Sequence, residues 1–254
     1  MEKDFYLNER GFAACFEKDW LDHVQPREIF AFPPFEPFRI YCDYHEKVVQ
    51  FLTAEIQRQI SKPKNLLEIG SSLGRTFFEI CSRTPSLREA TLVEPSKLLY
   101  DGFQRIFAGA PLENFPVVRE FSSSTEVTLP TEAIQSACRH VKVTSLNQTF
   151  QDLRIHEKFD LVICSNVIDQ CSGPRDLAEV IKAAAAPGGL VLLSCTYQWQ
   201  HKFTGNAVRQ IRDIKELFGP GWRCLNEMNY PFHSRVNERH WLAFLSHVGI
   251  FQKV

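Results

Sequence analysis

The stretch Asn65-Leu-Leu-Glu-Ile-Gly-Ser-Ser-Leu-Gly-Arg-Thr76 decides how this chain folds. Leu66, Leu67 and Ile69 are apolar enough for a short strand buried on both faces, with Glu68 set among them. Gly70 and Gly74 let the backbone turn sharply without a Cβ clash, Ser71 and Ser72 keep the loop low, and a helix opens at Arg75 and runs to Cys81. Strand, low loop and helix in that order form a cradle for a nucleotide. The first helical turn offers free N–H groups and the positive end of the helix dipole to whatever lies in the loop.

Ala90-Thr-Leu-Val-Glu94 reads as a second short strand, and its closing carboxylate falls twenty residues after Gly74. An acid there is placed to accept both ribose hydroxyls of an adenosine. A glycine turn alone often serves packing only, but Glu68, Gly70, Gly74 and Glu94 stand here in register. Two ligands suit such a cradle, a dinucleotide and S-adenosylmethionine. The dinucleotide pattern G-x-G-x-x-G is not met, because Ser72 takes the second glycine's place and Phe77 lies beyond the third. Adenosylmethionine has no phosphate and needs only a low, wide loop, which favours methyl transfer.

A chain of 254 residues with 44% apolar composition suits one α/β domain with decorations. The net charge of −1 is spread over interspersed residues, so the electrostatic footprint of a nucleic-acid or anionic-membrane binder is missing. The basic clusters Arg139-His140-Val141-Lys142 and Arg209 to Lys215 are short and read as solvated faces. Eight cysteines without C-x-x-C pairs read as scattered thiols, with neither a disulfide framework nor a metal site, and imply a reducing compartment. The start Met-Glu-Lys-Asp-Phe lacks a signal-peptide pattern, and no apolar run is long enough to span a bilayer. A cytoplasmic protein with a small-molecule substrate is expected, its oligomeric state open.

Residues 1–45 carry Phe30, Phe32, Phe35, Phe38, Tyr41 and Tyr44 among Pro26, Pro33, Pro34 and Pro37, and read as a helical or irregular arm. Whether it is a lid or a static cover of the sheet stays open, since aromatics bury equally well in either place. Tyr44 to Ile60 is helical through Val48, Phe51, Leu52 and Ile56. In the domain 46–254 there follow strand 65–69, helix 74–83, strand 90–94, helix 96–108, strand 140–144, strand 159–164, helix 175–186 and, past Pro187-Gly188-Gly189, strand 190–195. This alternation predicts a doubly wound, Rossmann-like α/β fold with a mostly parallel seven-stranded sheet. Residues 109–138 interrupt it as an insertion, a surface excursion with a short helix near Thr131 to Cys138. A helix ends at Leu217 to Trp222. Segments near Arg223 to Asn229 and Trp241 to Phe251, separated by Pro231 to Arg239, are placed to pair antiparallel at the sheet edge.

Glu68-x-Gly70-x-x-x-Gly74, Glu94, Phe159-Asp-Leu-Val-Ile-Cys-Ser-Asn166 and Pro187-Gly188-Gly189 occur in this order, and over residues 45–254 the chain resembles the class I S-adenosylmethionine-dependent methyltransferases. Ile69 to Ile80, Asn166-Val-Ile-Asp169, Tyr197-Gln-Trp199 with Phe203-Thr204, and Pro231-Phe232-x-x-Arg235 carry a finer resemblance. It is to the methyltransferase domain of ovothiol biosynthesis, which N-methylates the imidazole of a mercaptohistidine. The family resemblance implies that Gly70, Ser72 and Gly74 back the methionine moiety, Glu94 holds the ribose, Leu146 or Asn147 flanks adenine and Asn166 sits by the sulfonium. Glu68, Ser71, Arg75, Pro95 and Ser165 complete the expected cofactor-binding set. Ser145-Leu146-Asn147 stands where the family has a Gly-Asp-Ala-like stretch. The sulfoxide-synthase region of the ovothiol enzyme has no counterpart here, so another amine or imidazole acceptor is open.

Methyl transfer from a sulfonium is an in-line displacement needing orientation and a dry pocket more than an acid–base relay. Tyr41, Tyr44, Tyr197 and Trp199 are candidates for an aromatic wall, each with core packing as its rival role. Asp169 is a candidate to hold a substrate N–H, against a cap or loop acid, and Arg235 to clamp a carboxylate, against surface pairing. His45, His201 and His233 are possible bases, though a lone histidine is more often structural. The function expected is methyl transfer to a small-molecule nitrogen acceptor, with a histidine-related imidazole in view. A catalytically silent binding module is the alternative, and a damaged cradle would mark it. A nucleic-acid methyltransferase would need a basic face and an Asn-Pro-Pro-Tyr-type motif, both missing.

Overall fold

The computed structural model describes residues 8–24, 43–60, 62–118, 124–199, 211–237 and 240–254. Phe30 to Tyr41, His201, Phe203 and Thr204 lie outside the described residues. The elements run α1 (Glu9–Val24), α2 (Tyr44–Gln59), β1 (Asn65–Ile69), α3 (Arg75–Arg83), β2 (Glu89–Val93), α4 (Lys97–Ala108), β3 (Leu112–Val118), β4 (Ser124–Pro130) and α5 (Glu132–Cys138). After them come β5 (Lys142–Leu146), β6 (Phe159–Ser165), α6 (Pro174–Ala184), β7 (Ala185–Cys195), β8 (Trp222–Asn237) and β9 (His240–Lys253). Seven strands form one sheet in the order β5-β2-β1-β6-β7-β9-β8. The first five are parallel, and β9 and β8 close the edge antiparallel.

The parallel strands are apolar on both faces because helices cover both sides: Leu66, Leu67, Leu161, Val162 and Ile163 are fully buried. One face packs on α2 and α3, the other on α6. Strand order reverses about β1, which pairs with β2 on one side and β6 on the other. Crevices for ligands open at the carboxyl ends of strands at such a reversal, so the cradle after β1 sits where the topology puts a site.

Four boundaries differ from the sequence expectation. Helix α6 ends at Ala184 and passes directly into β7, whose register on β6 jumps from Phe159↔Ala185 to Leu161↔Leu190. Pro187-Gly188-Gly189 is therefore a bulge inside a strand, with Gly188 at φ +73°, and not a separate turn. Strand β8 continues through Pro231 to Asn237, because the edge strand asks for no N–H on its outer side. Strand β5 starts two residues later than expected, at Lys142, and the helix before Trp222 is a single 3₁₀ turn, Ile214–Leu217.

The insertion is more than a surface excursion. β3 and β4 form a hairpin of their own, and its buried Phe115, Val117 and Leu129 share a core with Phe12, Phe16 and Trp20 of α1. Phe16 and Phe115 stack with centroids 4.7 Å apart. Ahead of His247, strand β9 pairs only with β8, so the two strands project past β7 as an arm that reaches α1.

Candidate active site

Helix α1 is fastened to the cradle loop by buried polar contacts. Trp20 Nε1 donates to the Leu73 carbonyl at 3.1 Å, and Asp19 Oδ2 accepts from Leu73 N at 3.3 Å. Arg75 Nη1 donates to the Asp19 carbonyl at 2.6 Å while its guanidinium grips both Asp22 oxygens at 2.6 and 2.8 Å. The loop itself bends at two left-handed positions, Gly70 (φ +78°) and Gly74 (φ +81°), with Ser72 at φ +49° between them. A Cβ on Gly70 would meet Val167 at 2.3 Å, and one on Gly74 would meet Phe107 at 2.5 Å. Both positions thus demand glycine for backbone reasons and for packing.

A cavity of about 360 Å³ opens above this loop. Gly70, Ser72, Glu94, Pro95, Ser96 and Leu99 wall one side; Tyr44, Ser165, Asn166, Val167, Gln170 and Phe232 wall the other, with Cys15 and Lys18 of α1 and His45 completing it. Both Glu94 oxygens accept backbone N–H groups, Ser72 at 2.9 Å and Ser96 at 2.9 Å, so the carboxylate ties the turn after β2 to the cradle loop. Burial pushes the Glu94 carboxyl up to about 7, against those two hydrogen bonds and Lys18. Burial likewise raises Glu68 well above its ordinary value.

Asn166 follows β6 at φ +53°, a strained conformation for a residue with a Cβ. Its Oδ1 accepts from Ser246 Oγ at 2.7 Å and Ser194 Oγ at 3.1 Å, while Nδ2 has no hydrogen-bond partner among the described residues. Tyr44 Oη lies within 2.9, 3.1 and 3.3 Å of the hydroxyls of Ser194, Ser246 and Ser165. Burial raises the Tyr44 phenol, offset by these neighbours. The Tyr44 ring meets Phe232 edge-on at 5.0 Å. His45 is engaged at both nitrogens, Nδ1 with Thr76 Oγ1 at 2.9 Å and Nε2 with Asp19 Oδ1 at 3.1 Å. Burial lowers His45, opposed by Asp19. Asp19, which burial alone would raise, is held below the usual carboxylate range by Lys18 and His45.

Several expected site residues stand away from the cavity wall. Asp169 is fully buried, and its Oδ2 accepts from Thr196 N at 3.0 Å and Thr196 Oγ1 at 2.6 Å, which joins the loops after β6 and β7. Arg235 pairs with Glu17 at 3.4 Å and lies over Trp241, so its charge holds the arm to α1. Tyr197, at φ +56°, bonds His247 Nδ1 at 2.7 Å and accepts from Ile214 N at 3.1 Å, and Trp199 packs against it. Arg75 is spent on Asp22 and Glu79, and Gly74 packs on α4. Ser71 serves the turn through its backbone, accepting from Gly74 N at 2.8 Å. Asn147 Nδ2 donates to the carbonyls of Glu94 at 2.9 Å and Pro95 at 3.2 Å, pinning that turn, and Leu146 packs in the core. Cys15, Lys18 and Gln170 enter the wall instead, beside His45, named from the sequence as a possible base, and Phe232 of the finer resemblance. Helical spacing could have found the first two: Cys15, Lys18, Asp19 and Asp22 fall on one face of α1.

The cavity suits an adenosyl sulfonium. Glu94 stands in its wall just past β2, the cradle loop carries no phosphate-binding glycine at Ser72, and Asn166, whose buried Nδ2 has no partner among the described residues, also lines it. A methyltransferase-domain family model matches residues 43–249. No curated protein matches the sequence. Among solved structures, the N-methyltransferase NodS from Bradyrhizobium japonicum WM9, in complex with S-adenosyl-L-homocysteine, superposes with a TM-score of 0.57 at 12% identity, covering 98% of this chain and 99% of that one. A Pyrococcus horikoshii protein described as an RNA methyltransferase gives 0.53 at 11% identity over 89% and 92% of the two chains. The CurJ carbon methyltransferase gives 0.52 at 16% identity over 83% of this chain and 54% of its own. At these identities the neighbours speak for the fold. With the family model spanning the sheet and the cradle, the chain belongs to the class I S-adenosylmethionine-dependent methyltransferases.

Proposed function

We propose that the protein methylates a nitrogen of a small, flat molecule, a histidine-related imidazole foremost. One observation carries this: among the described residues of the cavity wall, the imidazole, phenol and ammonium groups are each already engaged. His45 has both nitrogens bonded, Tyr44 is tied into the serine cluster, and Lys18 is paired with Asp19. An acceptor here brings its own lone pair, as a neutral imidazole does near pH 7. The edge-on pair of Tyr44 and Phe232 supports a planar guest. Asn166, a wall residue whose Nδ2 has no partner among the described residues, is read as the group that orients it.

S-Adenosylmethionine, when bound, supplies an electrophilic methyl group on its sulfonium. The chain's own part is to hold ribose on Glu94, fix Asn166 through Ser194 and Ser246, and keep water out beneath α1 and the arm. Activity on an imidazole should rise with pH through the ring pKa, about 6.5, and then level off. The test is methyl transfer to histidine, its thiol derivatives and histamine, run beside phenols, carboxylates, RNA and protein. Methylation of an oxygen acceptor or a macromolecule, with all imidazoles inert, removes this reading.

A further inference from the structure

The Asn166 amide is set in a hydroxyl cluster made by Tyr44 of α2, Ser165 of β6, Ser194 of β7 and Ser246 of β9. Ser194 and Ser246 are fully buried. With the amide carbonyl toward them, both serines donate to it at 3.1 and 2.7 Å, and the amino group is left without a partner among the described residues. An unpaired buried N–H is rarer than an unpaired carbonyl. The two ends of an amide fill the same outline, so the group can turn end for end without displacing its neighbours. Nδ2 would then donate to both serine oxygens, Ser246 would pass its hydrogen to Tyr44 Oη at 3.1 Å, and Ser194, Tyr44 and Ser165 would donate to one another round a ring of 2.9, 3.3 and 3.1 Å. The Asn166 backbone N–H, 3.0 Å from Ser194 Oγ, also has the Ser194 carbonyl at 3.2 Å. Every hydrogen of the cluster finds an acceptor in this arrangement, and the atom left over is a carbonyl oxygen.

We propose that Asn166 works in this turned polarity: Ser194 and Ser246 hold its amino group, its carbonyl oxygen receives an N–H of the methyl acceptor, and the two serines with Tyr44 are positioning residues. The proposal rests on the imidazole reading above and narrows it to rings that keep an N–H. A neutral imidazole has one lone pair and one N–H. An amino group on Asn166 could bind only the lone pair that must attack, whereas a carbonyl takes the N–H and leaves that pair free. As the attacking nitrogen forms its bond to the methyl carbon, the S–CH3 bond breaks, its electron pair stays on sulfur and the ring becomes a cation. A carbonyl dipole aimed at the ring N–H favours that developing charge. The N–H proton passes to water after release, so the wall needs no base.

The probes are histamine and its thiazole analogue, in which sulfur replaces the ring N–H, titrated into protein saturated with S-adenosylhomocysteine. The unaltered protein should prefer histamine by roughly 10- to 100-fold. Asn166→Asp keeps an oxygen at the outward end and should hold or raise that ratio, while Asn166→Leu should bring it close to unity. Ser246→Ala should lower the ratio and Ser246→Thr restore it, whereas a merely structural Ser246 would weaken both probes alike. Equal affinity for the two probes in the unaltered protein, a ratio lost in Asn166→Asp, or a ratio kept in Asn166→Leu overturns the proposal. Should the unaltered protein bind neither probe, the imidazole reading falls and nitrogen-edited proton spectra of the Asn166 side chain decide the polarity. With the amino group on the serines, Ser246→Ala and Ser194→Ala each move a different Nδ2 hydrogen upfield. If neither hydrogen moves, the carbonyl faces the serines and the proposal fails.

Discussion

The two Glu94 oxygens accept the N–H groups of Ser72 and Ser96, and under the proposed function the same oxygens receive the ribose hydroxyls. The carboxyl titrates at about 7, raised from an ordinary 4.5 by burial, so between those values the folded chain binds more protons than the unfolded one. Glu94 then subtracts from stability as pH climbs through that window. Cofactor binding runs the other way, since only the carboxylate can accept from both hydroxyls. Affinity for S-adenosylhomocysteine should accordingly rise from pH 6 to 8 and flatten, and Glu94→Gln should weaken it by about 1.5–3 kcal/mol at pH 8 and abolish the slope. A flat profile in the unaltered protein would take Glu94 out of the ribose site. The sequence made Gly70, Ser72 and Glu94 legible as neighbours, because strand ends and turn glycines follow from local pattern. It left Asp169 and Arg235 misleading. Their motif partners are adjacent in the chain, but side-chain direction is set by Thr196 and Glu17, 27 and 218 residues away.

At the level of elements the sheet was readable and helix α1 was not. Apolar runs such as Leu161 to Cys164 announce parallel strands wherever they occur. In α1 the prolines and aromatics further on drew attention away from Phe12, Phe16 and Trp20, which repeat every four residues and are buried. The β3–β4 hairpin was missed for a related reason: Pro116 and Pro130 sit in its strands, and a two-stranded ribbon tolerates proline where a central strand does not. Trp20 is fully buried, meets Phe78 at a tilt and Phe107 edge-on, and donates to the Leu73 carbonyl. Trp20→Ala should cost about 3–5 kcal/mol in urea unfolding and weaken cofactor binding in parallel. A loss below about 1 kcal/mol would place α1 outside the cooperative core.

Across the whole molecule, α1 draws its contacts from the cradle, the hairpin and the arm, so that Glu17 alone meets Val118 and Arg235. Those partners are scattered over the chain, and synthesis delivers them in sequence. Helix α1 leaves the ribosome well ahead of the arm: Arg235 follows Glu17 by 218 residues, a wait of roughly 10–40 s at about 5–20 residues per second. During that interval Phe12, Phe16 and Trp20 have no complete core to enter. Nascent chains stalled before β8 should leave α1 open to protease, while chains extended beyond β9 should protect it, as limited proteolysis of arrested ribosome complexes would report. Equal protection at both lengths would mean that the cradle and hairpin suffice. Helix α1 would otherwise be made long before the partners that hold it and be among the last elements to find its place.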